Sequence, residues 1–364
     1  MSTTFGYIFP AIRGIQASRE YYVAMCPLHV IPKIFLFDEE ELAPEVRAQR
    51  ILNKGRIPEL TKYIVENKND YVFSAITASI DGEVEFEPID PEAKYTSLNG
   101  VLKISMNARF IINDGQHRRA AIEQALKSEP GLGDESIAVV FFIDKGLERS
   151  QQMFSDLNRH AVKPSRSLGL LYEHRHDEAK IAKLIAINSK AFSGLIEMER
   201  SSLSERSRKL FTLSAIATAC TSLLERLETT NFEDAHKKCE EYWDAVAEQF
   251  DDWQNVRNLR VLSAEVRRDK IHSHAIILQC LGVIGSQLIS QYPKNWKERL
   301  PKLKTIDWSR NNYKVWEGRA MIGGRVQKTT GSITLTTSYI KSVLGLPLNE
   351  NEKKFEEAYQ KGQS

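Results

Sequence analysis

The chain has 364 residues, 50 Lys and Arg against 48 Asp and Glu, and 42% apolar residues, an ordinary globular composition with enough material for more than one core. No apolar run approaches the roughly 20 residues that cross a bilayer, and Met1-Ser2-Thr3-Thr4-Phe5 carries no basic segment followed by an apolar one, so a soluble cytoplasmic protein without a membrane partner is expected. The cysteines Cys26, Cys220, Cys239 and Cys280 lie far apart with no Cys-x-x-Cys pair, which predicts reduced, packed thiols. Cys26, in Met25-Cys26-Pro27, follows an Arg- and Tyr-rich strand in the domain that carries the motif below; an ordinary packed thiol is expected there, against a reactive or redox-sensing one.

In chain order, strands are predicted over 5–12 and 20–25 and helices over 46–51 and 57–66. Strands over 72–80 and 84–86 flank Asp81-Gly82, a pair that reads as a hairpin turn. Short strands over 102–104 and 110–112 lead to a helix over 118–128, whose Ala121, Ile122, Ala125 and Leu126 form an apolar stripe. A fully apolar strand over 137–143 follows, then a helix with Met153, Phe154, Leu157 and Ala161 inward. Lys163-Pro164-Ser165 breaks the pattern. Beyond it, three- and four-residue apolar spacing over 168–187, 206–227, 232–250 and 273–291 predicts helices, and 332–337 predicts a last strand. The fold class is therefore α+β, with a mixed α/β domain over 1–165 and a mainly helical basic domain over 166–364.

The run Ile111-Ile112-Asn113-Asp114-Gly115-Gln116-His117-Arg118-Arg119-Ala120-Ala121 joins a short apolar strand to a helix through a polar turn. Such a junction points free N–H groups and the positive end of a helix outward. Asp114 is expected to cap the helix, Gly115 to permit close backbone approach, and Gln116, His117 and Arg118 to place an amide, an imidazole and a guanidinium in the first turn. The chemistry is that of an anion site, against the plainer reading of a cap beside a solvated arginine.

Asp114 to Arg118 is the signature of the DGQHR-domain proteins. With Phe9-Pro10-Ala11-Ile12-Arg13-Gly14 through Tyr21-Tyr22, the segment 154–167 and the ending 308–346, the chain resembles their DndB group over nearly its whole length. The resemblance implies a DNA-binding regulator, a repressor, of the gene clusters that install phosphorothioate linkages in bacterial DNA. The first domain is also similar to the ParB and sulfiredoxin fold. In ParB-type proteins a Gly-Glu-Arg-Arg box opens a helix and binds nucleotide phosphates, and Gly115 and Arg118 match it. In sulfiredoxin the box is Gly-Cys-His-Arg; Gly115, His117 and Arg118 match, while Gln116 replaces the cysteine and leaves no nucleophile. A second ParB box, Glu-Asn-x-x-Arg followed by Pro, falls on Ser155-Asp156-Leu157-Asn158-Arg159 and Pro164, with Arg159 and Pro164 retained. The resemblance thus implies a phosphate or nucleotide site of Asp114, Gly115, Gln116, His117, Arg118, Asp156 and Arg159. A nucleoside triphosphate with Mg is the cofactor it suggests, Asp156 offering a carboxylate to the cation; no catalytic residue is assigned.

Charge is unevenly spread. Residues 1–165 hold 19 basic and 23 acidic side chains, the remainder 31 and 25, and the segment 253–330 alone 15 and 5. Arg257, Arg260, Arg267, Arg268, Lys270, Arg319, Arg325 and Lys328 are the candidate contacts to double-stranded DNA, with Trp308, Tyr313 and Trp316 interleaved and Gly318, Gly323 and Gly324 beside the last arginines. Solvated helix faces, or pairing with the acidic first domain, is the alternative. His174-Arg175-His176 and His272-Ser273-His274 space their imidazoles onto different sides of a helix, so no metal site is expected. P-loop, Gly-x-Ser-x-Gly and His-Glu-x-x-His motifs are absent.

Three functions follow: a DNA-binding regulator; a nucleotide-dependent switch or nucleoside triphosphatase using the Asp114 to Arg118 turn; or a non-enzymatic module bridging other phosphorothioation proteins to DNA. The sequence leaves open a homo-oligomer, the operator, and whether there is an enzymatic activity at all.

Overall fold

Strands β1 (Gly6–Gln16) and β2 (Arg19–Pro27) open the chain, and both alternate: Phe9, Ala11, Tyr22, Ala24 and Cys26 are buried while Ile8, Ile12 and Met25 face outward. Ala17 and Ser18 join them, both at positive φ (49° and 60°), the twist of a two-residue type I′ turn made without its usual glycine. The computed structural model describes residues 6–35, 55–147, 149–159 and 164–363. Two compact units, Met1–Val162 and Lys163–Ser364, divide the chain.

The first unit continues through α1 (Ile31–Ile34), α2 (Arg56–Glu66), β3 (Ile76–Asp81), β4 (Val84–Pro88), β5 (Asn99–Ser105), β6 (Arg109–Asp114), α3 (Gln116–Ser128), β7 (Ser136–Ile143) and α4 (Ser150–Arg159). The strands form one mixed sheet in the order β4-β5-β1-β2-β7-β3-β6, with β3 and β7 parallel. The helix expected over 46–51 lies outside the described residues.

The hairpin expected at Asp81-Gly82 does not form. β3 pairs with β6 and β7, and β4 with β5; Asp81 instead accepts the Gly146 N–H at 2.9 Å and pairs with Arg109 at 2.9 Å. Three peptide steps from Asp81 to Val84 reach at most about 11 Å, whereas strands five places apart in a flat sheet are about 24 Å apart. The sheet therefore curls until β3 and β4 meet end to end. Its concave face holds Ile76, Ala78, Ile80, Leu102, Ile104 and Val139 against Ala121, Ile122 and Ala125 of α3. At the centre, the Phe141 ring has Phe9, Phe35 and Phe110 between 6.0 and 6.4 Å away.

The second unit is helical: α5 (Arg166–Tyr172), α6 (Asp177–Asn188), α7 (Leu213–Leu224), α8 (Phe232–Ala247), α9 (Asp251–Arg257), α10 (Ser263–Asp269), α11 (Ala275–Gln291), α12 (Tyr313–Trp316), α13 (Thr330–Leu344) and α14 (Glu350–Gln363). Thr212 and Asn231 cap α7 and α8 with their side chains. α11 packs on α7 closely enough that a Cβ on Gly282 would sit 2.3 Å from the Ala219 carbonyl oxygen, so only glycine fits. The strand expected over 332–337 is instead part of α13. Its β-branched Ile333, Thr334, Thr336 and Thr337 are held helical by a Thr329–Ser332 capping box, by Gly345 in the left-handed region at the far end, and by burial of one face.

Several buried polar side chains of this unit meet specific partners. Lys341 and Glu352, 4% and 7% exposed, meet at 2.5 Å and join α13 to α14. The Trp253 indole N–H donates to His272 Nδ1 (3.1 Å), and the opposite ring nitrogen donates to Asp252 (3.0 Å). His274 donates from Nε2 to the Arg267 carbonyl (2.9 Å), and burial pushes its pKa down to about 4.

Helix α9 ends in a Schellman motif: the Leu259 N–H bonds to the Val256 carbonyl and the Arg260 N–H to the Asn255 carbonyl. Leu259 takes the left-handed position at φ 58°, normally a glycine's, and its side chain is 79% exposed. Leu259→Gly is therefore expected to stabilise the protein by about 1 kcal/mol, raising the melting temperature of the helical unit by roughly 2–4 °C in calorimetry. His274 has the opposite leverage. Its folded-state pKa lies below its unfolded value, so the stability from keeping it neutral is complete above about pH 6.5 and is lost as pH falls towards 4. Between pH 7 and pH 5 the loss is expected to approach about 2 kcal/mol, and denaturant titrations at the two pH values should show this dependence flattened in His274→Gln.

Candidate phosphate-binding turn and basic surface

The turn after β6 is set by an irregular ladder. Thr77 pairs with Asp114 and Ala78 with Ile112, which leaves Asn113 as an extra residue, a bulge of the kind that re-aims a chain. Asn113 is fully buried and donates to Ser79 Oγ at 2.8 Å. Gly115 then takes φ 110° and becomes the N-cap of α3.

Asp114 was expected to be that cap. Its carboxylate instead pairs with Arg118 at 2.6 Å, and no side chain caps α3. Arg118 Nη2 also donates to the Ala75 carbonyl (3.1 Å), while its buried Nε finds no partner among the described residues. The room left by the missing side chain of Gly115 is taken by Ile76 and by this guanidinium: a Cβ there would lie 3.0 Å from Ile76 Cγ1, 3.1 Å from Nη2 and 3.3 Å from Nε. The close approach that glycine permits is thus made by the chain's own arginine. Gln116 donates back to the Ile112 carbonyl (3.0 Å). Burial, then the nearby Arg56 and Arg118 charges, lower the pKa of His117, so its ring is neutral at pH 7.

Arg56 is the residue sequence reading missed. It opens α2, which packs along α3, and is exposed close enough to His117 to lower its pKa. Only the register of α2 on α3 reveals it. Arg119, one position from the motif arginine, is a structural cation: 7% exposed, it donates to the Phe35 and Pro32 carbonyls and pairs with Glu123. Helix α4 packs beside β6, which brings the second motif to the strand that carries the first. Asp156 is exposed there and accepts from Gln152 at 2.7 Å; the Arg159 side chain lies outside the described residues. No group of three or more metal-ligating side chains occurs among the described residues.

The eight basic residues of the helical unit separate by what they touch. Arg257 donates to the Ser193 and Ala191 carbonyls. Arg267 gathers the carbonyls of Ser204, Glu205 and Ser207. Arg319, 8% exposed, pairs with Glu356 and lies over the Tyr339 and Tyr359 rings. These three hold the fold. Arg268 is exposed and forks onto Asp269 at 2.8 and 3.0 Å, while Lys270 is half-buried; Arg260, Arg325 and Lys328 are exposed. Trp308 and Trp316 are core residues whose indoles donate to the Leu303 and Asp307 carbonyls. The Gly323 and Gly324 N–H groups bind the Glu317 carboxylate. All four cysteines are free and buried; burial pushes the Cys26 and Cys280 thiols up to about 12, which leaves Cys26 a packed thiol.

These features define an α+β protein with an arginine-bearing strand-to-helix turn, followed by a helical unit whose outer cations are unevenly dense. The chain belongs to the DndB family, DNA-sulfur modification-associated proteins, whose model matches residues 9–347. It is thereby linked to DNA sulfur modification. No curated protein and no solved structure matches the chain.

Proposed function

We propose that the chain is a DNA-binding regulator, a repressor, of a bacterial DNA phosphorothioate modification cluster, and that the helical unit contacts the duplex. What carries this reading, within a family tied to DNA sulfur modification, is the 15-to-5 excess of basic residues over 253–330, with Arg260, Arg268, Arg325 and Lys328 exposed. An exposed Arg268–Asp269 pair is worth little in water, so a phosphate can replace the carboxylate at small cost. In fluorescence-anisotropy titrations against a duplex, affinity is expected to fall steeply with salt. The triple variant Arg260→Gln, Arg325→Gln, Lys328→Gln should lower the slope of log affinity against log salt by about 3. Binding by this variant that matches the parent in affinity and slope overturns the placement.

A second reading, a nucleotide-dependent switch or triphosphatase, is favoured by Arg56 and Arg118 beside the uncapped start of α3. An anion there takes the first-turn N–H groups and competes with Asp114 for Arg118. Isothermal titration with ATP, CTP and GTP in the presence of Mg is expected to give heat with at least one of them, and Arg118→Gln to remove it. Silent titrations with all three eliminate this reading. Bridging other phosphorothioation proteins to DNA is compatible with the first reading and adds no residue to it.

A further inference from the structure

In the helical unit, Met321–Ile322 and Arg325–Val326 form a small antiparallel hairpin whose two faces differ. Met321 lies beside Val326 and both turn inward: Met321 is 1% exposed, and Val326 packs half-buried against the helical core. Ile322 lies beside Arg325 on the opposite face. There Ile322 is 44% exposed and Arg325 is exposed. One step further from the tip, the Gln327 N–H bonds to the carbonyl of Ala320, which is fully buried. Ile322 and Arg325 are therefore the pair of this ladder with both members in solvent.

The tip projects and is held at the same time. Gly323 and Gly324 make the turn at φ 58° and 72°, the type I′ geometry that matches strand twist. Among the described residues no atom lies within 4 Å of where a side chain on either glycine would begin, so the tip stands clear. Both turn amides donate to the Glu317 carboxylate, at 2.5 and 3.1 Å. Arg310 donates to the Gly324 carbonyl (3.1 Å) and to the Arg268 carbonyl (3.2 Å), which ties the tip to the end of α10. A tip fixed in this way loses little freedom when it binds. Its surroundings are cationic: Arg310 lies under the turn, Arg268 is exposed beside it, and exposed Lys328 follows the second strand. The nearby carboxylates are engaged, Asp269 by the Arg268 fork and Glu317 by the glycine amides.

We propose that this hairpin enters the minor groove of the duplex, with the Arg325 guanidinium along the groove floor and Ile322 against the sugars and base edges. This rests on the duplex-binding reading above and adds to it the element, the groove and Ile322. A rigid projection with a guanidinium, an aliphatic side chain and cations around its base complements a groove, whose walls are two rows of phosphates. The number of projecting side chains selects which groove. The major groove, about 12 Å wide, is read by a helix or by a ribbon that presents several residues, and this ladder presents one pair. The minor groove, about 6 Å wide, takes single arginines where it is narrow and aliphatic wedges at its base steps. Between the two phosphate rows Arg325 still displaces a counterion, so it remains one of the three cations counted in the salt slope.

Two duplexes of one sequence, the second with inosine in place of every guanine, present the same major-groove edges and differ by the amino group that guanine projects into the minor groove. In anisotropy titrations the full chain is expected to bind the inosine duplex about tenfold more tightly, because that groove is unobstructed. Arg325→Lys keeps the charge and therefore the salt slope, but replaces the flat guanidinium with a strongly hydrated ammonium, and should bring the ratio to about one. Ile322→Thr keeps strand propensity and should weaken binding to both duplexes by about three- to tenfold. Both side chains face solvent, so circular dichroism and melting temperature should match the parent. A parent chain that binds neither duplex overturns the duplex reading and the hairpin placement together. Equal binding of both duplexes by the parent, or an Arg325→Lys variant with the parent's ratio, overturns the placement alone, and an Ile322→Thr variant with the parent's affinity overturns the contact assigned to Ile322.

Discussion

The pairing of β6 with β3, with Asn113 left over, is the constraint on which the first unit turns. Because one residue drops out of the ladder, Asp114 leaves the sheet in register with Thr77, and Gly115 must cross into positive φ to start α3. Arg118 then lands over the glycine and reaches Ala75 and Asp114 together. Had the ladder stayed regular, the residues beyond Ile112 would have emerged on opposite faces, and the motif would spell the same letters without the geometry. The same pairing sets α4 against β6 and buries the hydrogen bond from Asn113 to Ser79, while Asn113 Oδ1 is buried with no partner among the described residues.

Two places where an external anion was expected already hold an internal one. Asp114 occupies Arg118, and Glu317 occupies the Gly323 and Gly324 amides. Both carboxylates are bound through groups that serve phosphate equally well. The physical question at each place is therefore an exchange of one anion for another, not the filling of empty space. An exchange of this kind favours a ligand with more charge than a carboxylate, which a phosphate has.

Strand alternation in β1 and β2, the stripe of α3 and the α+β class were legible because each depends on local period. The Asp81-Gly82 turn was not: the dipeptide favours a tight turn, but the partners of β3 and β4 are decided by long-range pairing that closes the curled sheet. The α13 segment misled in the other direction. Ile333, Thr334, Thr336 and Thr337 carry strand propensity of well under about 1 kcal/mol each, less than a capping box and a buried face supply. Arginines were the least legible residues. Nothing local separates Arg267, whose guanidinium collects three carbonyls, from its neighbour Arg268, which stands in solvent; that difference arises when a distant loop folds across α10. Arg56 is the same effect with the opposite sign.

The four cysteines, silent in every proposal above, have a use as reporters. Cys26 belongs to the sheet of the first unit, and Cys220, Cys239 and Cys280 to the helical interior of the second; all are fully or almost fully shielded. An alkylating reagent reaches each thiol only when the structure around it opens. Because the labels fall in separate peptides, their rates time the opening of the two halves independently in one unmodified chain, without a tag, a dye or an engineered probe.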